Sequence, residues 1–133
     1  MNLYLDASAL VKRYVSEPGS AMVHEIMAEA QTWFMCRTGF LETLRAVTIA
    51  AGPTTARKVR EEWASFAVVE VDQDLVDRAG TLALRRDLRS LDSLHLASAL
   101  LLPREDLIFS SWDRHLRVAA EAEGLAVHPD ALP

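Results

Sequence analysis

The chain is short of several things, and each shortage closes off a class of protein. It has one cysteine, Cys36, so no internal disulfide can form. Cys36 ends the apolar run Trp33-Phe34-Met35-Cys36 and reads as a reduced packing residue. Five prolines and five glycines in 133 residues argue against long disordered linkers. No apolar run approaches the roughly 20 residues that a membrane-crossing helix needs. The opening Met1-Asn2-Leu3-Tyr4-Leu5-Asp6 lacks the basic region of a signal peptide. Histidines 24, 95, 115 and 128 show no metal-ligand spacing, which speaks against zinc. The expectation is one cytoplasmic domain over residues 1–133, with no membrane association.

Lysine is also scarce: 12 of the 14 cationic residues are arginine. The formal net charge of −5 counts against nucleic-acid binding. Arg85, Arg86 and Arg89 nevertheless lie together, as do Arg57, Lys58 and Arg60. A local basic rim can bind phosphate on an acidic chain, although each cluster by itself reads as a solvated helix face.

What the chain does have is alternation. Short strands are expected at 2–5, 31–36, 67–71, 107–109 and 126–128, the last at an edge. Between them lie helical segments at 7–15, at 18–30 after the start signal Ser16-Glu17-Pro18, and at 38–51, where Gly52-Pro53 stops the pattern. Thr54 or Thr55 can cap a further helix to about Phe66. Asp72 caps the next, a compact helix covers 91–102, and Asp113 opens a last one that Gly124 ends. Strands alternating with helices predict a three-layer α/β/α sandwich around a mostly parallel sheet. No internal repeat and no domain boundary interrupts it.

Four acids stand out. Asp6 and Asp113 each follow a strand and precede a helix, where ligands bind in open α/β sheets; both also read as ordinary helix caps. Glu42 lies opposite the stripe Phe40, Leu44, Val47 and Ala51, yet its own neighbours Gly39, Ala46, Ile49 and Ala50 are mostly apolar. That pattern predicts a helix buried on both sides, where a carboxylate is costly without a partner. Two readings stand: an ion pair with Arg45, or a bound cation. Asp92 opens the almost wholly apolar helix that runs on through Leu94, His95, Leu96 and Ala99, either as a favourable charge at the helix start or as a ligand. If the sheet gathers these acids they repel one another unless a cation sits between them, and an oxygen-only donor set suits Mg2+ or Mn2+.

The opening Asp6-Ala7-Ser8-Ala9-Leu10-Val11-Lys12-Arg13-Tyr14 with Glu17-Pro18-Gly19-Ser20 resembles the start of PIN-domain ribonucleases, and in particular VapC-type toxins of toxin–antitoxin pairs. The resemblance continues through Glu42 on its apolar helix. Leu91-Asp92-Ser93-Leu94-His95-Leu96-Ala97 is similar to the family's D-x-x-H-x-A helix. The likeness ends with Phe109-Ser110-Ser111-Trp112-Asp113-Arg114-His115-Leu116 and the trailing Ala119-Ala120 and Gly124-Leu125, so it covers essentially the whole chain.

The resemblance implies that Asp6, Glu42, Asp92 and Asp113 are catalytic acids holding Mg2+ or Mn2+, and that RNA is cut to a 3′-hydroxyl and a 5′-phosphate. It implies that Ser8 supports the first acid and that Ser111 replaces the family's usual threonine before the last, so a hydroxyl is kept at both places. Trp112 is a bulky neighbour and reads as packing. Since an acid cluster repels RNA, arginines must hold the phosphates, with Arg13, Arg37, Arg85, Arg86 and Arg89 as candidates. A homodimer and a cognate antitoxin protein are further implications; apolar residues of the 18–66 helices are candidates for the dimer face, with core the safer reading.

Other strand-end aspartate families fit less well. A haloacid-dehalogenase-like phosphatase needs a second Asp two residues on, where this chain has Ser8. A response-regulator receiver needs an acidic pair and a late lysine, where this chain has Leu5-Asp6 and only Lys12 and Lys58. Two alternatives remain: a non-catalytic interaction module that keeps the fold and uses the acids as caps, and a DNA-directed nuclease.

Overall fold

The computed structural model describes all residues 1–133. Five parallel strands form one sheet: β1 (Asn2–Leu5), β2 (Thr32–Cys36), β3 (Phe66–Val69), β4 (Leu107–Ser110) and β5 (Ala126–His128). Their order is β3-β2-β1-β4-β5, wholly parallel rather than mostly so, with β5 at the expected edge. The connections carry α1 (Ala7–Tyr14), α2 (Ser20–Glu29), α3 (Arg37–Glu62), α4 (Gln73–Arg86), α5 (Ser90–Leu100) and α6 (Arg114–Ala122).

Successive side chains of a strand point to opposite faces, and β1 shows what that does here. Leu3 and Leu5 pack with Ala9, Leu10, Val23 and Met27 of α1 and α2 on one face. Tyr4 packs on the other with residues of α4, α5 and α6, including Leu75, Leu96 and Leu116. The sheet is thus covered on both sides, and the sandwich has three layers.

The helix after β1 joins one face and the helix after β4 joins the other. These two strands are neighbours. Their following segments therefore part at the carboxyl ends and leave a crevice, the topological switch point of an open α/β sheet.

The boundaries differ from the sequence reading at a few places. The second helix begins at Ser20, after Gly19, rather than at Pro18. The expected break at Gly52 is present: its backbone is non-helical (φ 85°, ψ 177°), and α3 is two helical segments that meet across a kink there. A 3-10 turn at Trp63–Ser65 finishes that helix, and β3 begins at Phe66.

The larger correction concerns the faces of α3. Of the expected stripe Phe40, Leu44, Val47 and Ala51 only Val47 is fully buried, and it is joined by Gly39 and Thr43; Phe40 and Leu44 are half-buried and Ala51 is exposed. Small residues let this helix approach its neighbours, while Phe40 packs beside Trp63 at its flank. Leu41 and Ile49 are 65% and 70% exposed, so α3 is not buried on both sides. No helix of the chain is long and apolar enough to cross a membrane.

Candidate active site

Asp6 follows the last residue of β1, and its backbone N–H is tied to the Ser110 carbonyl of β4 at 3.1 Å. As the N-cap of α1 its Oδ1 accepts from the Ala9 N–H at 2.9 Å. The same oxygen accepts from the Ser8 hydroxyl at 2.7 Å, and Oδ2 accepts from the Ser111 hydroxyl at 2.6 Å. Each hydroxyl also takes a backbone proton: Ser8 from Trp112 N–H at 2.8 Å, Ser111 from Asp113 N–H at 3.1 Å. Two serines thereby lock the end of β1 to the segment leaving β4. Asp6 is only 3% exposed. Burial raises its pKa, opposed by His95, by the two serines and by the Ala9 N–H.

Asp113 caps α6, with Oδ1 accepting from Leu116 N–H at 2.9 Å. Asp92 stands in the first turn of α5. Burial raises the Asp92 pKa first and the Asp113 charge second; Arg89 and His95 oppose this, and Glu42 adds to it. The Arg89 guanidinium spans the gap, 3.5 Å from Asp92 Oδ2 and 3.8 Å from Asp113 Oδ2.

Glu42 does not pair with Arg45. Its Oε1 accepts from His95 Nε2–H at 2.7 Å. The other ring nitrogen, Nδ1, lies 2.9 Å from the Tyr4 hydroxyl and 3.7 Å from Cys36 Sγ. Burial works against the charged form of His95, but Tyr4, Cys36 and Glu42 hold its pKa well above the usual histidine range. Burial likewise pushes the Cys36 thiol up, and the His95 contact outweighs that and brings it down to about 6. Cys36 itself is buried and unpaired, as the sequence suggests.

The four acids therefore border one crevice through linked contacts: Asp6 to Asp113 by way of Ser111, Asp113 to Asp92 by way of Arg89, and Asp92 within the field of Glu42. No three of them close on a point tightly enough to hold an ion by direct ligation alone. The all-oxygen donor set and the mutual repulsion at Asp92 fit a hydrated Mg2+ or Mn2+, which keeps several waters of its own.

Beside the acids runs a groove of about 520 Å³ lined by Ser8, Val11, Lys12, Glu42, Arg45, Leu91 and Trp112, among others. Trp112 borders this groove as well as packing. Its ring stacks edge-on to His128, and the Lys12 ammonium sits 5.1 Å above it. Lys12 is held there by Glu17 and the Pro18 carbonyl. A smaller cleft of about 230 Å³ between α4 and α5 shares no residue with this groove.

Of the five arginines considered from the sequence, only Arg89 reaches the acids. Arg13 is engaged by Glu62 through two 2.8 Å bonds, Arg37 by Glu70, and Arg85 and Arg86 together by Glu123. Sequence reasoning missed Lys12 and Arg45 as groove residues and His95 as the partner of Glu42. The D-x-x-H spacing was the available signal for His95, since it puts Asp92 and His95 one turn apart on α5.

A family model described as "PIN domain" matches residues 3–126. The chain is 32% identical over 139 aligned positions to "Ribonuclease VapC49" of Mycobacterium tuberculosis, covering 98% of this chain and 96% of that one. In three dimensions it is similar to M. tuberculosis VapC20, described as a sarcin-ricin loop cleaving toxin. The TM-score is 0.77 at 14% identity, over 93% of this chain and 96% of that one. It is also similar to a chain of a toxin–antitoxin complex from Klebsiella pneumoniae, with a TM-score of 0.68 at 14% identity over 84% and 86% of the two chains.

Proposed function

The chain belongs to the PIN-domain family, and from that premise we propose that it is a metal-dependent endoribonuclease, the toxin of a toxin–antitoxin pair. One observation carries the reading: a buried aspartate, Asp6, is held at both oxygens by hydroxyls from Ser8 and Ser111, on a crevice that three more acids border. Burying a carboxylate is costly, and ordinary helix capping needs neither the burial nor the second hydroxyl.

In this reading Asp6, Glu42, Asp92 and Asp113 hold Mg2+ or Mn2+. The ion, when bound, supplies charge neutralisation at the scissile phosphate and an activated water. The protein's own contribution is positional. Ser8 and Ser111 fix the Asp6 carboxylate so that it cannot turn. Arg89, its side chain 85% exposed, is free to leave the Asp92–Asp113 pair and take a phosphate oxygen. Lys12 and Arg45 bring positive charge to an otherwise acidic groove, and Trp112 offers a flat apolar edge beside it. Arg13 and Arg37 are each paired with a carboxylate of their own, Arg85 and Arg86 share that of Glu123, and all four are secondary candidates for contact with RNA.

The remaining elements of the reading are a cytoplasmic location, a cognate antitoxin and a homodimer. The net charge of −5 suits a basic partner segment. Leu41 and Ile49 of α3 offer apolar surface for a second copy.

The test is cleavage of total cellular RNA by the purified chain, freed of any partner, with Mg2+ or Mn2+ against chelator, beside Asp6→Asn. Discrete metal-dependent fragments absent from the variant are expected. Equal cutting of matched DNA would redirect the reading to a DNA nuclease. No cleavage together with no Mn2+ binding would leave a non-catalytic interaction module.

A further inference from the structure

Glu42 differs from the other three acids. Asp6 and Asp113 are oriented by backbone N–H groups of the helices they cap, and Asp92 stands on a helix start. Glu42 is in the interior of α3 on a longer side chain, where no backbone donor is free to hold it. Its protein partner is His95 of α5, a residue 1% exposed.

The proton positions follow from the partners. A carboxylate only accepts, so His95 Nε2 carries a hydrogen toward Glu42 Oε1 at 2.7 Å. At the far side of the ring Nδ1 meets the Tyr4 hydroxyl at 2.9 Å. Tyr4 is wholly buried in β1, and its oxygen accepts the Cys36 backbone N–H at 3.1 Å. A relay of fixed groups thus runs from the central strand through the imidazole to the carboxylate.

Gly39 shows how closely the chain is built around that ring. A Cβ at this position would stand 2.8 Å from His95 Cε1 and 2.6 Å from Met35 Cγ. The first turn of α3 lies against the imidazole because residue 39 has no side chain.

We propose that His95, anchored by Tyr4, is a positioning residue that fixes Glu42 through one carboxylate oxygen and leaves the other to the metal and the groove. The inference rests on the reading of Glu42 as a metal-holding acid. Ligands oriented in this way typically lose about 10–100-fold in metal affinity when the orienting partner is removed.

The experiment measures Mn2+ affinity of the whole chain by calorimetry, with kcat and KM on RNA beside it. The variants are His95→Leu, His95→Gln, Tyr4→Phe, Glu42→Gln and the double variant of His95→Leu with Glu42→Gln. His95→Leu is expected to weaken Mn2+ about tenfold or more and to lower kcat with KM near wild type. His95→Gln keeps a donor toward Glu42 and should recover most of the loss. In the double variant the His95→Leu effect should vanish, because its target carboxylate is already gone.

Wild-type Mn2+ affinity in His95→Leu, or losses that simply add in the double variant, would overturn the inference and leave the nuclease reading standing. A wild-type chain that binds no Mn2+ would overturn both. Should His95→Leu fail to fold, Tyr4→Phe decides, since it removes one hydroxyl and keeps the ring: weaker Mn2+ binding supports the relay, and unchanged binding overturns it.

Discussion

Two strand ends of this molecule use the same local device to opposite effect. At the end of central β1, Asp6 caps α1 with an oxygen 2.9 Å from Ala9 N–H. Beyond edge strand β3, Asp72 caps α4 with an oxygen 2.9 Å from Leu75 N–H. Both aspartates cap the helix that follows a strand, Asp6 directly after β1 and Asp72 three residues past the end of β3. Yet Asp72 is exposed and has no further partner, whereas Asp6 is 3% exposed and held by two hydroxyls. The difference comes from the neighbours. Strand β1 lies between β2 and β4, and β4 delivers Ser111; β3 has a neighbour on one side only. A strand-end aspartate becomes a candidate site through what the adjacent strand brings to it.

The sharpest way to break this comparison is to change both caps alike. Asparagine caps as well as aspartate, so Asp6→Asn and Asp72→Asn should both fold. RNA cleavage should fall at least about a hundredfold in the first and stay at wild type in the second. Equal losses, read as initial cleavage rates, would mean that Asp6 is no more than a cap.

Next in size is Ser111→Ala. It strips Asp6 Oδ2 of its donor and Asp113 N–H of its acceptor in a buried place, which costs about 1–3 kcal/mol in a denaturant melt. Activity should drop by about 10–100-fold. Wild-type cleavage rates would show that the second hydroxyl is dispensable.

A third measurement uses pH. Asp6 is held above the ordinary aspartate range by burial, and Asp92 by burial and by Asp113. For a raised carboxyl the stability contribution is full below the unfolded pKa of about 3.9 and is lost as pH rises through the folded value. In chelator these two groups should therefore withdraw stability as pH rises above about 3.9. Asp6→Asn or Asp92→Asn should flatten that slope, and an unchanged slope in both would contradict it.

The smallest effect is expected from Arg89→Ala. Its side chain is 85% exposed, so stability should move by no more than about 0.5 kcal/mol. KM for RNA should rise a few-fold, with a shallower dependence on salt. A lowered kcat at constant KM would give Arg89 a different task.

The sequence made some of this plain. Asp6, Asp72 and Asp113 each follow an apolar strand and begin a helix, so their caps could be read directly. Gly52 announced the break in α3, and the five strands stood out by alternation with helices. What could not be read were partners brought from far along the chain. Glu42 has Arg45 three residues away, yet it bonds to His95, 53 residues distant. Arg13, Arg37, Arg85 and Arg86 looked free because Glu62, Glu70 and Glu123 lie in other segments. The buried side of α3 was only partly legible: Val47 was on the expected stripe, but periodicity favours large apolar residues, whereas close packing added Gly39 and Thr43. Local patterns fixed the elements, and long-range packing chose which of their polar groups meet.

The bond between Ser111 and Asp6 joins residues 105 positions apart. During synthesis the chain grows from its N-terminus, so Asp6 emerges 105 residues ahead of this partner. Until β4 has formed and docked beside β1, the two serines cannot meet around the first acid. A nascent chain that has not yet extruded residue 111 therefore carries Asp6 without its second hydroxyl. The order of translation therefore sets the order in which this crevice can assemble.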